Sequence, residues 1–357
     1  MPFDNGMQKA PALMYMLAGL LTLCSCGGGD DGRNKNTSPL YSQFTYTEPS
    51  QTELQQIVDE WQVRNLAATT AEVIGRDNRD PRFEVRVYRH FINGRAHVGL
   101  VSVPTSDKYA SYPVVVEADG LNQSSPTYDG DRWLRHVREK LPEVVYVVPT
   151  FRGRTLFFNG INANAEGDFC DAYDGATDDT IALLNVVAAE IPTADVNHVL
   201  VVGGSRGGTV ALLLGERDDR VAIVSAGSAP VNFHRADVRE RYSSQYDCQF
   251  FSGKNATQAK QLMLASSPLY FPMKPSVQKV YIDHGENDPV VPLWNAKEIV
   301  AQLQKQNTSV DYQEHQGAGH DLSVMPLYQS RQKTIFSEFV LQYRAEHSVQ
   351  SYIVDYL

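Results

Sequence analysis

Four apolar residues, Val199-Leu200-Val201-Val202, run directly into Gly203-Gly204-Ser205-Arg206-Gly207-Gly208 and then into Thr209-Val210-Ala211-Leu212-Leu213-Leu214. The first run suits a buried strand and the last a helix. Joining them through six residues forces a sharp reversal, and the glycines permit it because they carry no side chain to collide at the bend. A serine at the apex sits in strained backbone with its hydroxyl raised above the sheet. The pattern therefore demands a buried sheet whose strand ends open onto a cleft.

The rest of the chain supplies such a sheet. From Phe83 onward, short β-rich runs alternate with helical stretches, the mark of a largely parallel sheet covered on both faces. Strands are expected at Phe83 to Phe91, His97 to Val103, Tyr112 to Glu117, Glu143 to Val148, Val199 to Val202, Val221 to Ser225, Val277 to Asp283 and Val310 to His315. The first two flank Asn93-Gly94, a strong turn signal, and should pair antiparallel at one edge. Helices are expected at Trp133 to Lys140, Asp178 to Ala189, Thr209 to Gly215, Ala256 to Leu264, Pro292 to Gln304 and Met325 to Glu346. Leu54, Ile57, Val58, Trp61 and Leu66 give Gln51 to Thr70 a helical spacing as well. No internal repeat interrupts this order, so residues 51–357 read as one α/β domain with an N-terminal helical extension.

The first 26 residues are of another kind. Lys9 precedes an apolar run from Ala12 to Leu23 that ends in Leu23-Cys24-Ser25-Cys26 and three glycines. A run this short falls below the roughly 20 residues of a membrane-spanning helix and suits an export signal. The cleavage region resembles a bacterial lipoprotein lipobox, which implies lipidation of Cys26 and a membrane-anchored protein on the periplasmic or cell-surface side. An ordinary secretory signal is the alternative. Residues 27–50, rich in Gly, Asn, Ser, Thr and Asp, read as a flexible tether. Cys170 and Cys248 are then the remaining cysteines, and an oxidising compartment favours their pairing over two separate thiols. The net charge of -10, with no Lys/Arg-rich run, argues against nucleic acid as a partner.

A serine hydroxyl is a poor nucleophile at neutral pH unless a base takes its proton, and that base needs a partner to hold its tautomer. Candidates follow Ser205 in order: Asp288, within His284-Gly285-Glu286-Asn287-Asp288-Pro289-Val290-Val291-Pro292, and His320, within Gly317-Ala318-Gly319-His320-Asp321. Both fall in loops beyond strand ends. Asp283 and Glu286 compete with Asp288, and His315 and His284 with His320, although Asp283 and His315 lie inside strand-like runs.

These stretches, with Val148-Pro149-Thr150-Phe151-Arg152-Gly153 and Ser267-Pro268-Leu269-Tyr270, give the chain from about Phe83 to its C-terminus a specific likeness. It resembles the α/β-hydrolase superfamily, most of all the catalytic domains of prolyl-oligopeptidase-like and dienelactone-hydrolase-like enzymes. The resemblance implies a mostly parallel sheet of the eight-stranded type flanked by helices, with a small cap between the sixth and seventh strands. It also implies a catalytic triad on Ser205, Asp288 and His320, and an oxyanion hole. One donor of that hole is the Arg206 backbone N–H. The second falls in Asp119-Gly120-Leu121, which resembles the family's His-Gly-X turn with Asp in place of His; Leu121 N–H is the candidate and Gly120 its alternative.

The cap would span Val231 to Leu269, with Arg235, Arg239, Arg241, Tyr242, Tyr246, Phe250 and Phe251 either shaping a pocket that favours anions or forming an ordinary crossover. The acidic run Glu166, Asp168, Asp171, Asp174, Asp178 and Asp179 does not match a calcium loop, and its last two members are expected to offset a helix dipole. The reading is a serine hydrolase that opens a small-molecule ester or a peptide bond through an acyl-enzyme on Ser205, with no metal or organic cofactor required. Too few residues precede the first strand for the β-propeller of true prolyl oligopeptidases, which keeps a carboxylesterase in view. The rival of another class is a non-catalytic surface lipoprotein that keeps the fold to bind a partner.

Overall fold

Valine-rich runs without polar alternation make strands that are buried on both faces, and such strands occupy the middle of the sheet. A computed structural model describes residues 44–121, 126–241 and 246–354. In chain order the strands are β1 (Ala71–Asp77), β2 (Phe83–Ile92), β3 (Arg95–Pro104), β4 (Tyr112–Ala118), β5 (Thr127–Asp129), β6 (Val145–Thr150), β7 (Thr155–Phe158), β8 (Ile161–Asn164), β9 (Ala194–Gly204), β10 (Val221–Gly227), β11 (Lys279–Gly285) and β12 (Val310–His315). The α-helices are α1 (Gln51–Val63), α2 (Gly130–Val137), α3 (Asp174–Glu190), α4 (Arg206–Arg217), α5 (Ala236–Arg241), α6 (Ala256–Ala265), α7 (Trp294–Lys305) and α8 (Pro326–Val354).

Nine strands form the main sheet in the order β1-β2-β3-β6-β4-β9-β10-β11-β12. From β6 to β12 every neighbour is parallel, while β1, β2 and β3 extend the β6 edge by antiparallel pairing. Every residue of β6 and β10 is buried. Leu183, Val187, Val210, Leu212 and Ile299 of α3, α4 and α7 cover one face. Trp133 and Leu134 of α2, with Ile335 and Phe339 of α8, cover the other. This is the α/β-hydrolase architecture expected from the sequence.

Two parts of it were not legible. β1 is an edge strand of mostly half-buried residues, so its apolar signal is weak. A separate small sheet joins β5, β7 and β8. Its β7–β8 hairpin turns on Asn159 (φ 48°) and Gly160 (φ 79°), an Asn-Gly signal in the sequence that the short flanking runs did not make conspicuous.

The N-terminal helix stops at Val63, where the backbone turns extended at Arg64, rather than continuing to Thr70. The expected tether also ends early: the rings of Phe44 and Tyr46 pack on each other, on His234 and, for Phe44, on Phe251. They join a third cluster in which Ile57 and Trp61 of α1 meet Phe233, Tyr246, Phe250, Phe251 and Met263. The cap between β10 and β11 thus has a core of its own. Its buried aromatics fill that core instead of lining a pocket, each contributing about 2–3 kcal/mol of apolar burial. Arg235 is bound to Asp237 and Glu298 and lies over the Trp294 ring at 3.9 Å, so its charge is already matched. Arg239, Arg241 and Tyr242 lie outside the residues whose side chains are described, as does Cys26. Cys170, in the loop before α3, is bonded to Cys248 of the cap, with Cα atoms 5.6 Å apart.

The acidic run also has a different role from the one expected. Helix α3 begins at Asp174, which places Asp178 and Asp179 in its buried second turn rather than at its dipole. A carboxylate there requires compensation by nearby cations. Asp174 and Asp178 each pair with both Arg64 and Arg217, Asp174 also accepts the Trp61 indole N–H, and Asp179 pairs with Arg152 at 2.8 Å. His97 Nδ1 lies 3.1 Å from Asp179. Burial alone would raise the Asp179 carboxyl, but the Arg152 charge and the His97 and Arg152 contacts outweigh it and hold the group below the usual range.

A depressed folded-state pKa stabilises the protein above the unfolded value and is lost as pH falls through the folded one. Asp179→Asn should therefore lower unfolding stability by about 3 kcal/mol at pH 7, since it leaves Arg152 without its main partner. In urea melts at decreasing pH the gap from wild type should narrow below about pH 4, where the unfolded carboxylate protonates. A gap independent of pH would show that the ion pair is not its source.

Candidate active site

The parallel strands end at one edge, and the sheet order reverses at β4, whose neighbours are β6 and β9. Loops at the carboxyl ends beside such a reversal leave a crevice for ligands. Ser205 sits there, between β9 and α4, with φ 55° and ψ −123°, a conformation that costs about 1–3 kcal/mol. Its N–H donates to Gly227 O at 2.8 Å, and its carbonyl accepts from Gly208 and Thr209. Two glycines make the turn possible: a Cβ at Gly203 would lie 2.2 Å from Gly207 O, and one at Gly207 would lie 1.9 Å from Ala118 O.

The loops after β11 and β12 are stitched together. Glu286 N–H donates to His315 O at 3.0 Å, Asn287 N–H to Ala318 O at 2.9 Å, and Gly317 N–H to the Glu286 carboxylate at 2.9 Å. This alignment sets Asp288 Oδ2 2.7 Å from His320 Nδ1, while Asp288 Oδ1 accepts the Val290 and Val291 N–H groups. Burial pushes the Asp288 carboxyl up, but the His320 hydrogen bond and charge and the two backbone amides prevail and hold it below the usual carboxylate range. The His320 side chain is 24% exposed and the Asp288 side chain fully buried. Ser228 joins the two halves of the site. It follows Gly227, which holds the Ser205 N–H, and its own hydroxyl donates to His320 O at 3.1 Å.

The competing residues have other partners. Asp283 and His315 bond to each other at 2.7 Å, both essentially unexposed, with Arg331 closing the group. Burial raises the Asp283 carboxyl, against the pull of His315 and Arg331. This inner pair faces no cleft and holds β11, β12 and α8 together. His284 Nε2 donates to Val291 O at 2.9 Å behind Asp288, and Glu286 is committed to Gly317.

The Arg206 side chain does work that its sequence position did not reveal. Although it lies at the surface-directed start of a helix, it is 2% exposed and reaches under the loop after β4. Its Nε donates to Asp119 O at 3.2 Å and its Nη2 to Gly120 O at 2.8 Å. In a planar trans peptide the N–H points opposite to the C=O. With the Gly120 carbonyl turned to the guanidinium, Leu121 N–H is turned away from it. Burial, then the Arg154 charge, lowers Arg206 to about 10, still cationic at neutral pH. Asp119, at the position where the resembled turn carries histidine, accepts from Arg154 at 2.5 Å, and Arg206 also lies over the Phe151 ring at 4.6 Å. Of Val148-Pro149-Thr150-Phe151-Arg152-Gly153, Phe151 thus backs the guanidinium beneath this loop and Arg152 binds Asp179 of α3. Beside the elbow lies a cavity of about 430 Å³, walled in part by Ala118, Gly120, Gly204, Asp321 and Ser323.

Comparison with solved structures places this architecture among known hydrolases. It superposes on acetyl xylan esterase 1 from Thermoanaerobacterium sp. JW/SL YS485 with a TM-score of 0.58 and 15% identity, over 84% of this chain and 97% of that one. An S-formylglutathione hydrolase from Agrobacterium tumefaciens matches at 0.52 and 16%, over 75% and 99%. An acylaminoacyl peptidase from Pyrococcus horikoshii matches at 0.51 and 16%, over 72% of this chain and 41% of that one. No curated protein matches the sequence. The model of the prolyl oligopeptidase family matches residues 145–347, which span the elbow and the loops bearing Asp288 and His320, and the chain belongs to that family of serine hydrolases.

Proposed function

We propose that Ser205, His320 and Asp288 are the nucleophile, base and orienting acid of this hydrolase, and that the bond it opens is a carboxylic ester. One observation carries the assignment of roles: a serine in left-handed backbone at the apex of the β9–α4 turn shares its strand edge with an Asp288–His320 pair 2.7 Å apart. Ser205 Oγ attacks the acyl carbon while His320 Nε2 takes its proton, and Asp288 stabilises the imidazolium through Nδ1–H. The developing oxyanion is met by the N–H groups of Arg206 and Leu121, each such donor being worth about 3 kcal/mol. The leaving alcohol takes its proton from His320, and water repeats the sequence to release the acid. The ester reading draws on a structure matched over nearly its whole length, an acetyl xylan esterase, while the S-formylglutathione hydrolase, matched as fully, acts by its name on a thioester. Family membership favours a peptide bond as the second reading.

Turnover of a short-chain nitrophenyl ester and of aminoacyl and prolyl nitroanilides should be compared in wild type and Ser205→Ala. Ester hydrolysis that falls at least about 10³-fold in the variant, without anilide turnover, is expected. Anilide turnover lost with Ser205 would make the protein a peptidase, and undiminished hydrolysis in the variant would remove Ser205 from the mechanism.

Arg206→Gln should lower kcat about 10- to 100-fold with little change in KM, because it frees the carbonyls that aim Leu121 N–H at the oxyanion. An unchanged kcat in a variant that melts like wild type would deny the guanidinium this positioning role.

We also propose that the chain is exported and held at a membrane through acyl chains on Cys26. The Cys170–Cys248 bond supports an oxidising compartment, and no helix among the described residues is long and apolar enough to cross a membrane. Metabolic labelling with palmitate should mark wild type and not Cys26→Ser, which should leave the membrane fraction. Equal labelling of both would refute the anchor.

A further inference from the structure

At the opposite end of β9 from Ser205, three side chains converge that the hydrolytic site does not use. Asp195 and His198 stand near the start of the strand and His347 on α8. One ligand atom of each lies within 4.8 Å of the others, and the nitrogens nearest the carboxylate are His198 Nδ1 and His347 Nε2. Both histidine nitrogens are 3.4 Å from Asp195 Oδ2. Ligand atoms held at about 2.0–2.1 Å in a tetrahedral zinc site are separated from each other by roughly 3.4 Å.

The outer contacts decide what these atoms present to one another. His347 Nδ1 lies 2.8 Å from the Tyr343 carbonyl, which only accepts, so Nδ1 donates there and Nε2 is the nitrogen turned toward Asp195. His198 Nε2 lies 3.1 Å from the Glu346 carboxylate and likewise donates, leaving Nδ1, a buried atom without a hydrogen-bond partner, on the side of Asp195. Asp195 Oδ1 is taken by the Asn197 N–H at 3.1 Å, which aims Oδ2 at the two rings. The Tyr343 hydroxyl, 2.6 Å from Ser111 Oγ, also neighbours this carboxylate. Two imidazole nitrogens and a carboxylate oxygen therefore meet, each histidine braced at its other nitrogen by a carboxylate or a carbonyl. That bracing is what metal-binding histidines receive from their surroundings. Side-chain exposures of 27%, 18% and 33% for His198, Asp195 and His347 leave room for water to complete the coordination.

We propose that Asp195, His198 and His347 form a zinc site, with Glu346 and the Tyr343 carbonyl orienting its histidines, that fastens the end of α8 to the start of β9. From His198 to Ser205 the strand covers roughly 23 Å at about 3.3 Å per residue, so the site is separate from hydrolysis. A pair of protonated histidines would instead bind Asp195 without any metal. The two arrangements make opposite predictions for added zinc.

The test uses the full chain without a histidine tag, stripped with a chelator and titrated with zinc chloride by calorimetry, and with cobalt(II) for its visible absorption. One zinc per chain is expected, with a raised melting temperature and the intense cobalt bands of four-coordinate nitrogen and oxygen ligation. His198→Ala and His347→Ala should each weaken binding at least about 100-fold, and Glu346→Gln by about 10- to 100-fold through the loss of bracing. His136→Ala, on an exposed ring elsewhere, should bind as wild type does. Ester turnover reports that each variant is folded, and Asp195→Asn replaces any histidine variant that is not. The proposal is overturned if zinc does not bind, or if binding survives His198→Ala and His347→Ala, or if His136→Ala reduces it as much as they do.

Discussion

Helix α4 starts against the end of β4, and the contact leaves no space for a side chain at Gly207, whose Cβ would lie 1.9 Å from Ala118 O. Much of the active edge depends on this approach. It brings Arg206 beneath the loop after β4, where the guanidinium can take two carbonyls, and it presses the Ser205 turn close to that loop. Any residue with a side chain at Gly207 would part the two loops that the proposed oxyanion hole requires to be adjacent.

Buried charge is the second organising element, and arginine carries it. Arg64, Arg152 and Arg217 bind the carboxylates at the start of α3, Arg206 and Arg154 brace Asp119 and its loop, and Arg331 joins Asp283 and His315. A planar donor fork that stays protonated suits interior sites where lysine would lose its charge. These groups do not compete with the cleft, because their partners consume them. The contrast between Asp283–His315 and Asp288–His320 shows the principle: the same two residue types meet at the same 2.7 Å, yet one pair is sealed between strands and the other opens to solvent. Exposure separates scaffold from candidate catalyst.

The middle of the main sheet was readable because strands such as β6 and β10 are buried on both faces and so write continuous apolar runs into the chain. β1 was not, since an edge strand needs no such run, and neither was the small sheet, whose strands are only three or four residues long. Ser205, Asp288 and His320 stood out because turns that expose a polar group at a strand end carry glycine and proline around it. The Arg206 side chain, Ser228 and the pairing of the acidic run did not, because each depends on partners far away in sequence. Tyr246, Phe250 and Phe251 were visible as an aromatic group, but whether aromatics line a pocket or fill a core depends on what covers them, here α1 and Phe44.

By itself the sequence determined local geometry: where the chain must reverse, which runs are apolar enough to be strands, and which loops hold a serine, a carboxylate and an imidazole in an order suited to acyl transfer. Those properties follow from residues adjacent along the chain. Only the tertiary structure decided which carboxylate meets which histidine, which arginine is consumed by which acid, and that Asp195 and His198 meet His347 across the sheet's far end. Such pairings are set by strand order and helix placement, and a linear pattern does not encode the distance between residues that the fold brings together.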